Sequence, residues 1–194
     1  MDKILEEIRD FADQAHGDQM RKYAPDRYIV HPVRVMKMCQ EYTDNLPVLA
    51  AALLHDVLED TDTGKEEMLE FLQKHLSYTQ AMKVLRLVVE LTDVYVKADY
   101  PKLNRDQRKG KEAERLAKIS PDAQTIKYAD IIDNCKEITA HDAHFAPVFL
   151  KECRHILMGC KKGNRQLHKA AVETVDQELG KRKQSGGVDR KHFH

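Results

Sequence analysis

The chain has 194 residues, enough for one well-buried core and short for two. Its 32 Lys and Arg balance its 32 Asp and Glu, so no net field draws it to nucleic acid or to a membrane surface, and any basic site must be local. No apolar run approaches the roughly 18 residues that span a bilayer, and the N-terminus is an amphipathic helix rather than a signal segment, which together point to a soluble, cytoplasmic protein.

Apolar spacing is helical nearly throughout and no convincing strand alternation occurs, which predicts an all-α fold. Ile4, Leu5, Ile8, Phe11 and Ala12 form the stripe of a first helix ending near His16-Gly17. The loop Asp18 to Val30 carries Arg21, Lys22, Pro25, Asp26 and Arg27, and a second helix opens at His31-Pro32, where proline's missing N–H costs little. A third runs from Leu46-Pro47 to Asp60, apolar until His55 and therefore central, with a polar end.

Thr61 to Gly64 breaks that helix, Thr63 with Glu66 reads as a capping box for the next (Gly64 to His75), and Ser77 opens another through Leu91. Thr92 to Leu103 is a loop, and the highly charged Asn104 to Ile119 reads as a solvated helix or a partly mobile lid. Ser120-Pro121-Asp122 opens a helix carrying Ile126, Lys127, Asp130, Asn134 and Cys135. Stretches from Ala146 to Cys160 and Asn164 to Leu179 complete a bundle of about eight to ten helices in one domain over 1–180. The polar tail 181–194 is expected to fray.

The chemistry-bearing residues concentrate in Ala51 to Thr61, where His55-Asp56 is followed by Glu59-Asp60. On a continuous helix His55 and Glu59 share one line and Asp56 and Asp60 the next. Neighbouring residues diverge by about 100°, so His55 and Asp56 reach one ion only if it sits over a helix end or between helices. Imidazole and carboxylate on rigid elements suit a divalent metal, and His31, His55, Asp56 and Asp130 are offered from three helices.

Each residue also has a plainer reading. His31 can be a helix-start histidine satisfied by backbone, Asp130 an ion pair with Lys127 three residues earlier, and Arg21 and Lys22 simple surface charge. Glu59 and Asp60 at a helix C-terminal end oppose the macrodipole, a misfit that favours function. The remaining histidines show no spacing that defines a second metal site, and Cys39, Cys135, Cys153 and Cys160, without C-x-x-C pairing, are reduced core residues.

The combination of Tyr28-Ile29-Val30-His31-Pro32, Ala51-Ala52-Leu53-Leu54-His55-Asp56-Val57-Leu58-Glu59-Asp60-Thr61 and Lys127-Tyr128-Ala129-Asp130 with Asn134 resembles the HD-domain metal-dependent phosphohydrolases. Within them it is similar to the hydrolase domain of RelA/SpoT-type enzymes. Ala15-His16, Gln19, Arg21-Lys22, Pro101 to Arg105 and Gly163 to Leu167 resemble segments of their small stand-alone relatives.

The resemblance implies that His31, His55, Asp56 and Asp130 ligate one divalent ion, manganese being typical, while the donor set itself also admits iron, nickel or zinc. It implies Glu59 and Asp60 as the catalytic carboxylates, and Arg21, Lys22, Lys102, Arg105 and Asn134 as contacts to a nucleotide substrate. The implied reaction is 3′-pyrophosphohydrolysis of guanosine tetra- or pentaphosphate, the alarmone of the stringent response. Rival readings are an HD phosphohydrolase of another nucleotide, such as a nucleoside monophosphate or a 2′- or 3′-phosphorylated one, and a catalytically idle nucleotide sensor. Ile131-Ile132-Asp133 departs from the usual residues after the late aspartate, a difference expected beside the substrate rather than the metal.

Overall fold

The computed structural model describes residues 2–185, and over them the chain forms ten helical segments and no strand. They are α1 (Lys3–His16), α2 (Val30–Gln40), α3 (Leu46–Leu54), α4 (Val57–Asp60), α5 (Lys65–His75), α6 (Tyr78–Leu91), α7 (Arg105–Leu116), α8 (Pro121–His141), α9 (Ala146–Gly159) and α10 (Arg165–Ser185). Gly17 ends α1 at a φ of 54°, a conformation glycine adopts without a Cβ penalty. The loop to α2 is pinned by an isolated antiparallel bridge between Met20 and Arg27.

The apolar helix α3 is the centre: Pro47 through Leu54 are all buried, and it packs against α1, α2, α6 and α8. Burying side chains such as Leu53 and Leu54 favours folding by about 1.5–3 kcal/mol each. The four cysteines are free and buried, as their helical spacing predicts.

Three expectations need correction. The third helix is not continuous to Asp60: it stops at Leu54, His55 and Asp56 form a turn, and a single turn, α4, follows. The Thr63–Glu66 capping box does not form; Gly64 takes the N-cap of α5 without a side-chain cap, while Thr61 Oγ1 accepts from the Thr63 N–H. The charged segment is a helix solvated on its outer face only, since Glu112, Ala113 and Leu116 are buried and it packs on α9. By contrast, Ser77 with Gln80 caps α6 reciprocally. α10 continues over 181–185, where polarity predicts fraying, and 186–194 lie outside the described residues.

The Gly163 to Leu167 segment locks α8 in place. A Cβ on Gly163 would stand 2.7 Å from the Tyr128 ring, so only glycine lets the chain pass there. The Asn164 N–H donates to Thr125 Oγ1 at 2.9 Å, and the Asn164 side chain accepts from the N–H groups of Gln166 and Leu167 at the start of α10.

Candidate metal centre and active site

The turn at His55-Asp56 is what allows two adjacent residues to face one point. Asp56 sits at φ −96°, ψ −8°, outside the helix interior, and its carbonyl restarts the ladder by accepting from the Asp60 N–H at 2.8 Å. His31 enters from the first turn of α2 and Asp130 from the middle of α8. His31, His55 and Asp56 each offer a ligand atom within 4.8 Å of the others. Asp130 joins them with Oδ1 3.2 Å from His31 Nε2 and 3.7 Å from His55 Nε2.

The tautomers follow from the partners. His55 Nδ1 is 2.8 Å from the Ala52 carbonyl, which only accepts, so this nitrogen carries the proton and Nε2 keeps a lone pair. That buried Nε2 has no hydrogen-bond partner, yet it stands 3.1 Å from Asp56 Oδ2. His31 repeats the arrangement: Nδ1 donates to Asp133 Oδ2 at 2.7 Å, leaving Nε2 3.5 Å from Asp56 Oδ2. A neutral imidazole's lone pair facing a carboxylate is repulsive unless a proton or a metal ion lies between them, and this nitrogen and oxygen donor set fits a divalent metal.

Protons are the metal's competitors here. Burial disfavours charge on His55, but Asp56 and Asp130 outweigh it and raise its pKa to about 10. His31 is raised likewise against its own burial, through Asp130 and Asp133. Asp130 is held well below the usual carboxylate range despite burial, by Lys127 and the two histidines. Metal binding therefore displaces protons that the carboxylates would otherwise gather.

Asp130 makes the ion pair with Lys127 and still turns an oxygen to the cluster. Its Oδ2 accepts from Lys127 Nζ at 2.8 Å, while its Oδ1 faces the histidines and accepts from Asn134 Nδ2 at 2.6 Å. Lys127 and Asn134 thus orient it from one turn before and one turn after. Asp133, expected beside the substrate, orients His31 and is itself gripped by two guanidinium nitrogens of Arg34, Nε and Nη2, at 2.7 and 2.9 Å. A buried acid three residues after Asp130 on an apolar helix is the signal that marks it.

Glu59 and Asp60 project from α4 at the exposed edge of the cluster and are held differently. Glu59 Oε2 accepts from the Asp93 main-chain N–H at 2.9 Å. Loss of hydration, together with the Asp93 charge, raises its pKa to about 7. Asp60 is also raised, by desolvation and by Asp56. The Tyr28 hydroxyl, 2.8 Å from both Asp56 Oδ2 and Asp60 Oδ2, ties it to the cluster. Tyr28 and His16, which stacks on it at 4.4 Å, adjoin the cluster, although the sequence offers His16 only as part of a motif and not as a site residue.

The predicted substrate cations lie farther out and are partly engaged. Arg21 donates to Glu137 Oε2 at 2.7 and 3.0 Å and to Asn134 Oδ1 at 3.0 Å, so it reaches the Asn134 side of the cluster already paired. Lys22 is exposed, 4.7 Å over the Tyr23 ring, and Lys102 is exposed on the connection to α7. Arg105 pairs with Glu152 at 2.7 and 2.8 Å and lies 5.0 Å over Phe145. A pocket of about 100 Å³ lined by Lys127, Asp130 and Asn134 extends to Glu152, connecting the rim to the cluster.

The HD domain model matches residues 28–135, the span holding His31, the His55-Asp56 turn and Asp130. The mouse protein named guanosine-3′,5′-bis(diphosphate) 3′-pyrophosphohydrolase MESH1 is 31% identical over 89% of this chain and 93% of its own. The human protein of the same name is 32% identical over 86% and 89%. A solved structure described as a metazoan ortholog of SpoT that hydrolyzes ppGpp superimposes with a TM-score of 0.72 at 26% identity, covering 94% of this chain and 97% of that one. The family's divalent-metal chemistry and the cluster's donor set agree, and the chain belongs to the HD-domain hydrolases, among the small stand-alone relatives of the RelA/SpoT-type hydrolase domain.

Proposed function

We propose that the chain is a (p)ppGpp 3′-pyrophosphohydrolase, converting the tetra- or pentaphosphate and water to GDP or GTP and pyrophosphate. The near full-length match to relatives named for this activity supports the substrate. The observation that carries hydrolysis is the buried, unpartnered His55 Nε2 among His31, Asp56 and Asp130, with Glu59 one turn away.

In this reading His31, His55, Asp56 and Asp130 hold one divalent ion. That ion supplies Lewis acidity toward a phosphoryl oxygen and toward water. Manganese is the metal we favour; a nitrogen and oxygen donor set suits it, and because zinc and nickel bind such sites more tightly, selection rests on supply. Glu59 takes the proton of the attacking water, a role for which a pKa of about 7 is well matched. Asp60, fixed by Tyr28, positions water or relays the proton. Asn134 meets a ribose hydroxyl or phosphate, with Arg21, Lys22, Lys102 and Arg105 along the phosphates. The partner is a small nucleotide in the cytoplasm, not nucleic acid or membrane, and the role is removal of a starvation signal.

The test is product identification with manganese-loaded protein given ppGpp beside a nucleotide panel. GDP and pyrophosphate from ppGpp are expected. Orthophosphate from a nucleoside monophosphate or a 2′- or 3′-phosphorylated nucleotide, with ppGpp untouched, would replace the substrate; no turnover with metal bound would leave a sensing module.

A further inference from the structure

Apart from Arg105 at its start, the charged helix α7 has no part in the mechanism so far, yet one of its faces is committed to four main-chain groups between Glu90 and Tyr95. Lys109, Glu112 and Arg115 recur every third residue and all turn toward the connection that leaves α6. Glu112, 2% exposed, accepts from the main-chain N–H groups of Val94 and Tyr95 at 3.1 Å each. Arg115 donates to the carbonyls of Glu90 and Thr92 at 2.8 and 3.1 Å and is paired with Glu112. Lys109 Nζ donates to Asp93 Oδ2 at 2.8 Å. Between these anchors lies the Asp93 N–H that Glu59 accepts at 2.9 Å.

Loop backbone of this kind ordinarily finds its partners in water or in its own turns. Here one helix supplies them as charged side chains, two acceptor contacts and two donor contacts to main chain, plus an ion pair. Charge-assisted bonds are the stronger class, and Glu112 would not be buried without them. We infer that α7 is a positioning element: Lys109, Glu112 and Arg115 fix residues 90–95 so that the Asp93 N–H holds the Glu59 carboxylate at the metal cluster. The inference rests on Glu59 being the proton acceptor.

The groups facing Glu59 give the inference a signature that a purely structural helix lacks. Asp93 comes from the connection after α6, Lys127 from α8 and Asp56 from the turn before α4, while Lys127, Lys109 on α7 and Arg115 together offset the charge of Asp93. Removing the Lys109 charge while keeping its bulk leaves Asp93 with Lys127 and Arg115 as its cationic neighbours and less well compensated beside Glu59, so the Glu59 carboxylate becomes harder to ionise. Asp93→Asn keeps the N–H and removes the charge, so it acts in the opposite direction.

The experiment compares Lys109→Met, Lys109→Arg and Asp93→Asn in the full-length, metal-loaded protein, reading kcat, KM, metal content and amide hydrogen exchange over 90–96. Lys109→Met is expected to speed exchange over 90–96 and to lower kcat about tenfold to a hundredfold with KM and metal content little changed. It should also move the acidic limb of the rate profile to higher pH, with Lys109→Arg restoring both and Asp93→Asn moving the limb to lower pH. Unchanged exchange over 90–96 in Lys109→Met would overturn the clamp, whatever the substrate proves to be. Faster exchange with kcat and pH profile unmoved would overturn the link to Glu59. If wild-type protein hydrolyses no nucleotide, the proposed function fails separately, and the exchange data still decide the clamp.

Discussion

The metal cluster and the cationic rim are built on opposite plans. The cluster's four residues come from α2, the α3–α4 turn and α8, are mostly buried, and have their orientations set by neighbours: Ala52 for His55, Asp133 for His31, Lys127 and Asn134 for Asp130. The rim's Lys22 and Lys102 stand in solvent on connections, and Arg21 and Arg105 are occupied by Glu137 and Glu152. Chemistry that needs sub-ångström placement sits on rigid supported elements, whereas charges that gather a polyphosphate can act from flexible stems. Under the proposed function the engaged arginines exchange a carboxylate for a phosphate when substrate binds.

That contrast can be broken or sharpened by substitution. The largest effect is expected from Asp130→Ala or His55→Ala, which should abolish stoichiometric metal binding and lower turnover by about 10⁴-fold or more, read by elemental analysis and rate on one preparation. Next comes Asp133→Ala, which leaves all four donors but frees the His31 ring. Metal affinity should fall about 10- to 100-fold in calorimetry, and excess metal should restore the rate. An effect on KM alone would return Asp133 to the substrate side, where the sequence places it.

The pH dependence is intermediate. With Glu59 at about 7 and required as the base, its ionised fraction, and with it kcat/KM, should fall as pH drops through about 7, approaching tenfold per unit below it. A profile flat between pH 5 and 8 with metal still bound would contradict the assignment. The smallest effect belongs to the rim. Lys22→Ala should raise KM about two- to fivefold with kcat unchanged, and less at high salt.

The same contrast explains what was legible in the sequence. Helices announce themselves through apolar spacing, so α3 and the placing of His31, His55 and Asp130 on separate elements could be read directly, and the motif residues pointed to their chemistry. What periodicity cannot show is a break that keeps the apolar register: the run Leu53-Leu54-His55-Asp56-Val57 looks helical, and only the packed structure shows the turn that makes adjacent ligands converge. Nor does a charge run reveal its partners. Glu112 and Arg115 read as solvated because their partners are main-chain groups at the end of α6 and in the connection after it, which carry no sequence signature. Tyr28 enters the sequence pattern only as part of a motif, and its bridging of Asp56 and Asp60 needs three dimensions.

The division of labour between the cluster and α4 is tested most directly by Glu59→Gln assayed beside wild type for bound metal and for pyrophosphate released from ppGpp. The account predicts equal metal in both and a rate about 10²- to 10⁴-fold lower in the variant. A variant that keeps its rate, or that loses its metal with it, would contradict the assignment of metal binding and proton transfer to different residues.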